Sequence, residues 1–237
     1  MTKGITMPIE MYDLAAGDDR VRFSPYCWRI RMAMAHKGLD FRTVPVRFME
    51  KEKIEFSGQK LVPVIRDNEK IIHDSWDIAL YLDETYADRP RLIDGPQAMA
   101  LTEFVRSWAQ TTLSTPILKT VVLDLFNGLD DKDKPYFRTT REQRFGTTLE
   151  NFALTPDAGR AAIKQTLTPL RDLLGRQTFI CGATPGFADY IVFGVFMWAH
   201  CVSHITLIEG EDSVETWRQR MLDLYDGLAR RAPRNPA

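Results

Sequence analysis

The chain has 237 residues, 44% of them hydrophobic and 27% charged, and its 31 basic and 32 acidic residues leave a formal net charge of −1. That length carries one large domain or two modest ones, each with a core of its own. The even charge excludes the basic footprint of a nucleic-acid or acidic-surface binder, so no nucleic-acid partner is expected.

Met1 to Thr6 lacks the apolar core of a signal peptide. No run reaches the ~20 apolar residues of a membrane helix, so a cytoplasmic chain with no membrane partner is expected. Ile9 to Asp13 reads as a first strand. After a loop holding Gly17 and Asp18-Asp19 comes the block Ser24-Pro25-Tyr26-Cys27-Trp28-Arg29. Ser as N-cap and Pro in the first turn open a helix that Gly38 closes, with Ile30, Ala33 and Met34 as its apolar stripe. The first-turn amides and the helix dipole favour an anion, such as a thiolate, near the Ser24 hydroxyl. An ordinary capped helix has the same signature.

Phe41 to Val46 is a second strand, and Pro45 places it at an edge. Arg47 to Gln59 is a charged loop with a short helix around Lys51 to Phe56. Leu61 to Arg66 and Lys70 to His73, separated by Asp67-Asn68-Glu69, form an antiparallel hairpin. Asp74-Ser75 then opens an amphipathic helix carrying Ile78, Leu82 and Tyr86. The order βαβ then ββα predicts a small mixed sheet flanked by helices.

Ala87 to Pro96 is polar and holds two prolines. It divides the chain into a first domain over 1–87, a linker over 88–96 and an all-helical domain over 97–237. Leu101, Phe104, Val105 and Trp108 form one helical face, and Ser114-Thr115-Pro116 is expected to bend the chain. Ile163, Leu167, Leu170 and Leu174 make another stripe. Phe187 to His200 is almost wholly apolar and predicts a central buried helix, and Trp217, Met221, Leu224, Tyr225 and Leu228 predict a final one. Cys27, Cys181 and Cys201 are too few and scattered for a disulfide framework. His200 and His204 flank Cys201, but no nearby acid completes a ligand set, so no metal is expected.

Three features fall in a recognisable order: the Ser-Pro-Tyr-Cys turn, Val62-Pro63 before a strand, and Asp74-Ser75 before a helix, all ahead of a helical half. With the block from Asp74 to Tyr86, they resemble the cytosolic glutathione transferase superfamily across nearly the whole chain. Ser24 to Arg29 and Phe187-Ala188-Asp189-Tyr190 are most similar to the bacterial beta-etherase group and its fungal relatives. The resemblance implies a thioredoxin-like domain followed by an all-α domain, a homodimer, and glutathione as cofactor. It implies a glutathione site of Ser24, Trp28, Lys60, Val62, Pro63, Asp74 and Ser75, with Pro63 as a cis-proline and Ser24 as the catalytic hydroxyl. Phe23, Tyr26 and Trp108 are the candidates for an aromatic-substrate pocket. Asp74-Ser75 is equally a plain N-cap, and Trp108 equally core.

The resemblance implies attack on an aromatic or hydrophobic electrophile, with cleavage of beta-aryl ethers as the narrower activity. The alternatives are a binding protein for aromatic ligands, a scaffold role, and thiol transfer through Cys27. Cys27 lies one turn inside the helix and is expected to be structural. The pattern departs from the family twice: Gly186 stands where a hydroxyl N-cap partners Asp189, and Leu61 stands where a polar side chain is common. Gln59 or Lys60 is left to meet the glycyl end of the cofactor.

Overall fold

Strands β1 (Ile9–Leu14) and β2 (Phe41–Val46) run parallel, from Ile9 opposite Phe41 to Leu14 opposite Val46, with helix α1 (Pro25–His36) as the crossover. This computed structural model describes residues 8–236, so the signal-peptide reading of Met1 to Thr6 lies outside the described residues. Strand β3 (Val64–Asp67) pairs antiparallel with β1, and β4 (Lys70–His73) with β3, giving the order β2-β1-β3-β4. Pro45 does lie on an edge strand, where a missing N–H costs no ladder bond.

Alternation sorts the two faces of the sheet. Met11 and Ile65 sit opposite one another and join the core under α1 and α2 (Ser75–Thr85). Tyr12 and Val64, the next pair, face the other way and pack with Val46 on Ile54, in a 3-10 helix over Lys51–Ser57.

The chain then turns helical: α3 (Gly95–Trp108), α4 (Ser114–Asn127), α5 (Asp133–Phe145), α6 (Leu149–Phe152), α7 (Pro156–Thr166), α8 (Thr168–Leu174), α9 (Phe187–Val202) and α10 (Ser213–Gly227). A four-stranded sheet with its helices, then an all-helical domain, is the expected fold class. At Ser114-Thr115-Pro116, where a bend is expected, the chain stays helical. Helix α3 runs into α4 through a π turn over Ala109–Leu113, where the Ser114 N–H and Oγ (2.7 Å) both bind the Ala109 carbonyl, five residues back. Pro116 follows two residues after Ser114 and has no N–H to offer the carbonyls of the preceding turn.

The stripe on α3 also differs from expectation: Val105 is buried, but Leu101 and Phe104 are exposed, Phe104 by 69%. Helical spacing identifies a shared face, not what covers it. Helix α9 is buried nearly throughout and packs along α1. It can approach so closely because position 194 is glycine: a Cβ there would stand 2.3 Å from the Pro25 carbonyl oxygen. Below its start, buried Asp189 accepts from the backbone N–H of Ile180, Cys181 and Gly186 and from Trp217 Nε1 at 2.7–3.1 Å. One carboxylate thus ties α9, the loop before it and α10, and offsets the missing hydroxyl cap. Among the described residues no helix is long and apolar enough to cross a membrane.

Candidate active site

The chain leaving β1 folds back on itself, with the Ala16 N–H on the Val21 carbonyl (3.0 Å) and the Phe23 N–H on the Leu14 carbonyl (3.3 Å). This brings Ser24 to the end of β1, where it caps α1 in an extended conformation and its Oγ accepts from the Cys27 N–H at 3.3 Å. A hydroxyl that accepts on one lone pair still has its proton to donate. Ser24 opens onto a cleft of about 330 Å³, whose wall also includes Phe23, Tyr26, Arg29, Lys60 and Val62.

Cys27 is fully buried, and burial first, then the nearby Asp13 carboxylate, pushes its thiol well above the usual range. It is therefore a protonated core thiol at neutral pH, with little nucleophilic character. Asp13 is itself buried and displaced upward by desolvation, countered by Arg31 at 3.6 Å and by Arg22.

The Val62–Pro63 peptide bond is cis, as expected for Pro63. Val62 is half-buried on the cleft wall and Pro63 is buried behind it. Of the two candidates for the glycyl end, Lys60 lines the cleft, whereas Gln59 is turned to His73 with the two nitrogens 3.2 Å apart. Asp74 caps α2 from the left-handed region (φ 65°), with Oδ1 accepting from the Trp76 N–H at 2.8 Å, and Ser75 is nearly buried beside it.

Arg29 joins these parts and went unassigned in the sequence, although it stands five residues after Ser24. It is only 2% exposed, lines the cleft, lies 4.5 Å over the Tyr26 ring, and its Nε has no protein partner. Burial lowers it to about 10, against the raising influence of Tyr26 and Asp74, so it remains a cation at neutral pH. Arg106, stacked 4.3 Å over Trp76, adds a second positive charge close by.

Five expected site residues do not line the cleft: Pro63, Asp74 and Ser75, and the two tryptophans Trp28 and Trp108. Trp28 is fully buried, its Nε1 donating to the Arg22 carbonyl at 2.7 Å and its ring under Arg31, so it supports the wall from behind and cannot touch a ligand. Trp108 precedes the π turn and packs against the core; Gln110, Ser114 and, from α9, Trp198 line the cleft instead. The inner wall was also missed. Phe48 from the loop after β2, with Tyr136 and Phe137 from α5, continues the aromatic surface begun by Phe23. That loop is clamped to α5 by Asp133, whose two oxygens accept from the Phe48 and Met49 N–H groups, both at 3.0 Å.

A β1-α1-β2 unit and a β3-β4 hairpin followed by α2, with a cis-proline ahead of β3 and an all-helical half after them, define a thioredoxin-like domain carrying a helical partner. The chain belongs to the glutathione S-transferase family: residues 20–90 match the model of the family's N-terminal domain and residues 100–227 that of its C-terminal domain. It is 31% identical over 169 residues to the glutathione S-transferase-like protein ustS of Aspergillus flavus, covering 65% of this chain and 55% of that one. It is 32% identical over 88 residues to glutathione S-transferase Z1 of Arabidopsis thaliana, covering 32% of this chain and 39% of the relative. The matched stretch is thus under two thirds of either curated relative. Among solved structures, glutathione transferase GSTFuA3 of Phanerochaete chrysosporium superposes with a TM-score of 0.74 at 28% identity, covering 94% of this chain and 93% of that one. The glutathione S-transferase CsGST63524 of Ceriporiopsis subvermispora, solved in complex with glutathione, shares the fold with a TM-score of 0.79 at 22% identity, covering 93% of this chain and 97% of that one.

Proposed function

We propose that this chain is a glutathione S-transferase that holds the cofactor thiol as a thiolate for attack on an aromatic electrophile, with cleavage of beta-aryl ethers as its narrower activity. The observation that carries the reading is Ser24: an N-cap hydroxyl at the positive end of α1, open to a cleft also lined by Val62, the residue before the cis-proline. The residues present fit glutathione, since Arg29 offers a buried cation with an unpartnered Nε next to the start of α2, where a carboxylate is favoured.

Glutathione supplies the nucleophilic sulfur. The Ser24 O–H donates to an anion in front of it, and the first-turn amides of α1 favour the same charge. Lowering a thiol from about 8.5 by two pH units corresponds to about 2.7 kcal/mol and leaves it mostly ionised at neutral pH. Val62 offers its backbone, strand-like, to an extended peptide, Lys60 reaches for the glycyl carboxylate, and Ser75 and Arg29 receive the γ-glutamyl end. Phe23, Tyr26 and the inner aromatic wall exclude water from the acceptor.

The test is retention on immobilised glutathione together with calorimetry at millimolar ligand. No retention and no heat would remove the basis of the reading. Phenol release from a panel of aryl ethers supplied with glutathione decides the narrower activity. The second reading, an aromatic-ligand binding protein, is favoured by the ring-lined inner wall; it stands if dyes are displaced but no electrophile is consumed. A homodimer is proposed for the exposed apolar side chains of α3 and β4, Phe104, Leu101 and Ile71. Light scattering after size exclusion settles that.

A further inference from the structure

The inner wall of the cleft is cationic as well as aromatic. Six basic residues line the cleft, Arg29, Arg47, Lys51, Lys60, Arg141 and Arg144, and no acidic residue does. In a chain with 31 basic and 32 acidic residues, that is a strong local separation. Only Arg47 is neutralised, by Asp19 at 2.9 Å and Glu50 at 3.4 Å; among the described residues no carboxylate is in ion-pair range of the other five.

Three of those five sit on rings, Arg29 on Tyr26 and two on the inner wall. Arg141 has its guanidinium 4.8 Å over Phe137 and 5.2 Å over Phe48, and Lys51 has its ammonium 4.6 Å over Tyr136 and 3.4 Å from that phenol oxygen. These are the rings that continue the surface from Phe23, beside Ser24: Phe23 to Phe48 is 6.2 Å, Phe48 to Tyr136 is 6.1 Å and Phe48 to Phe137 is 5.7 Å between centroids. Arg141 is partly desolvated, which lowers its affinity for its own proton, and the like charge of Arg144 acts in the same direction. Cations gathered in a partly dry, ring-lined space without a carboxylate are unfavourable until an anion enters.

Resting on the transferase reading above, we infer that the electrophile is an aromatic acid: its ring lies along Phe48, Tyr136 and Phe137, its carboxylate meets Arg141 and Lys51, and its reactive carbon points back to Ser24. Arg29, over the Tyr26 ring and near Asp74, and Lys60, three residues before the cis-proline, are the cations the transferase reading assigns to the peptide cofactor, which leaves Arg141 and Lys51 for the second anion. A planar guanidinium on a ring suits this task, because it can pair with a carboxylate and stack on the ligand-bearing wall together.

The probes are a chloronitrobenzoate, with chlorine para to the carboxylate and ortho to the nitro group, its neutral carboxamide, and the chlorine-free pair for binding alone. In the reaction a carbon–sulfur bond forms and the carbon–chlorine bond breaks; chloride leaves with the bonding pair and the thiol proton goes to solvent. Calorimetry with the chlorine-free pair is expected to show the acid binding about tenfold more tightly than the amide, a difference of about 1.4 kcal/mol. Arg141→Met, and separately Lys51→Met, are expected to bring that ratio close to one, with circular dichroism verifying the fold of each. Equal affinities in the unaltered protein, or a ratio that survives in a folded Arg141→Met protein, overturn the inference. Turnover separates it from its parent: a preserved preference for the acid without conjugation of either chlorinated probe removes the transferase reading and leaves an aromatic acid as the bound ligand.

Discussion

Ser24 caps α1 and faces the cleft with the same oxygen, so removing it has two separable costs. Ser24→Ala loses the bond to the Cys27 N–H, worth about 1 kcal/mol in a urea titration. In steady-state kinetics with glutathione it is expected to lose about a hundredfold in turnover, the scale of one donor removed from a reacting anion. Cys27→Ala, by contrast, touches a protonated core thiol and is expected to keep the conjugation rate. Gly194 is the residue that no motif announced. Gly194→Ala places a methyl 2.3 Å from the Pro25 carbonyl oxygen and 3.3 Å from Arg29 Cγ. Backbone cannot yield there as a side chain tip would, so about 1–3 kcal/mol of stability is expected to be lost. Activity should fall with it, because the turn being displaced carries Ser24; unchanged kinetics would show that α9 moves instead.

Among the elements, the segment between α2 and α3 is held by a buried ion pair. Lys37 Nζ lies 2.8 Å from Asp83 and also donates to the Tyr86 and Pro90 carbonyls, while Asp83 accepts from the Leu92 and Ile93 N–H groups. Lys37→Met leaves the carboxylate buried without its cation, and about 3–5 kcal/mol of destabilisation is expected by chemical denaturation. The clamp from Asp133 to the loop bearing Phe48 is weaker and closer to function. Asp133→Ala should raise KM for the aromatic substrate more than it lowers kcat, since it frees a wall of the pocket and leaves Ser24 in place. The elements themselves were largely legible, because βαβ, ββα and the apolar run of α9 are local patterns. The cleft was legible only on one side. Ser24 and Val62 belong to short local motifs, whereas Phe48, Tyr136, Phe137 and Arg141 meet across about ninety residues of chain. No local signal distinguishes them from surface aromatics and cations. Trp28 and Trp108 failed for the converse reason: an aromatic near a motif is as easily core as pocket.

For the whole molecule, acid sensitivity follows from two half-buried histidines held in neutral form. Burial, with Arg234, Arg218 and Arg230 facing it, lowers His200 to about 4, and burial with Lys37 nearby lowers His36. An unfolded histidine binds its proton near 6.5. Between 6.5 and about 4 the unfolded chain therefore holds more protons than the folded one, and stability is lost as pH falls through that window. The buried carboxylates Asp13, Asp133 and Asp189 are displaced upward by burial and act in the opposite sense, so they reduce the slope. Thermal midpoints taken across the window should decline, and His200→Gln should reduce the decline; a flat series in the unaltered protein contradicts the assignment.

The π turn between α3 and α4 gives the cleft an adjustable joint. A turn that closes five residues back carries one residue in excess of helical phase, and Gln110 and Ser114 on the cleft wall are held by that excess. Deleting Thr111 restores an unbroken helix and rotates everything before it by about 100° against everything after it. Polypeptide length, independent of any side chain's chemistry, then decides which residue meets the acceptor. Lineages that gain or lose a single codon here would change substrate selectivity in one step, with the buried face of α4 still in its seat. A Thr111 deletion with native helix content and a reordered preference among aromatic electrophiles is the expected signature.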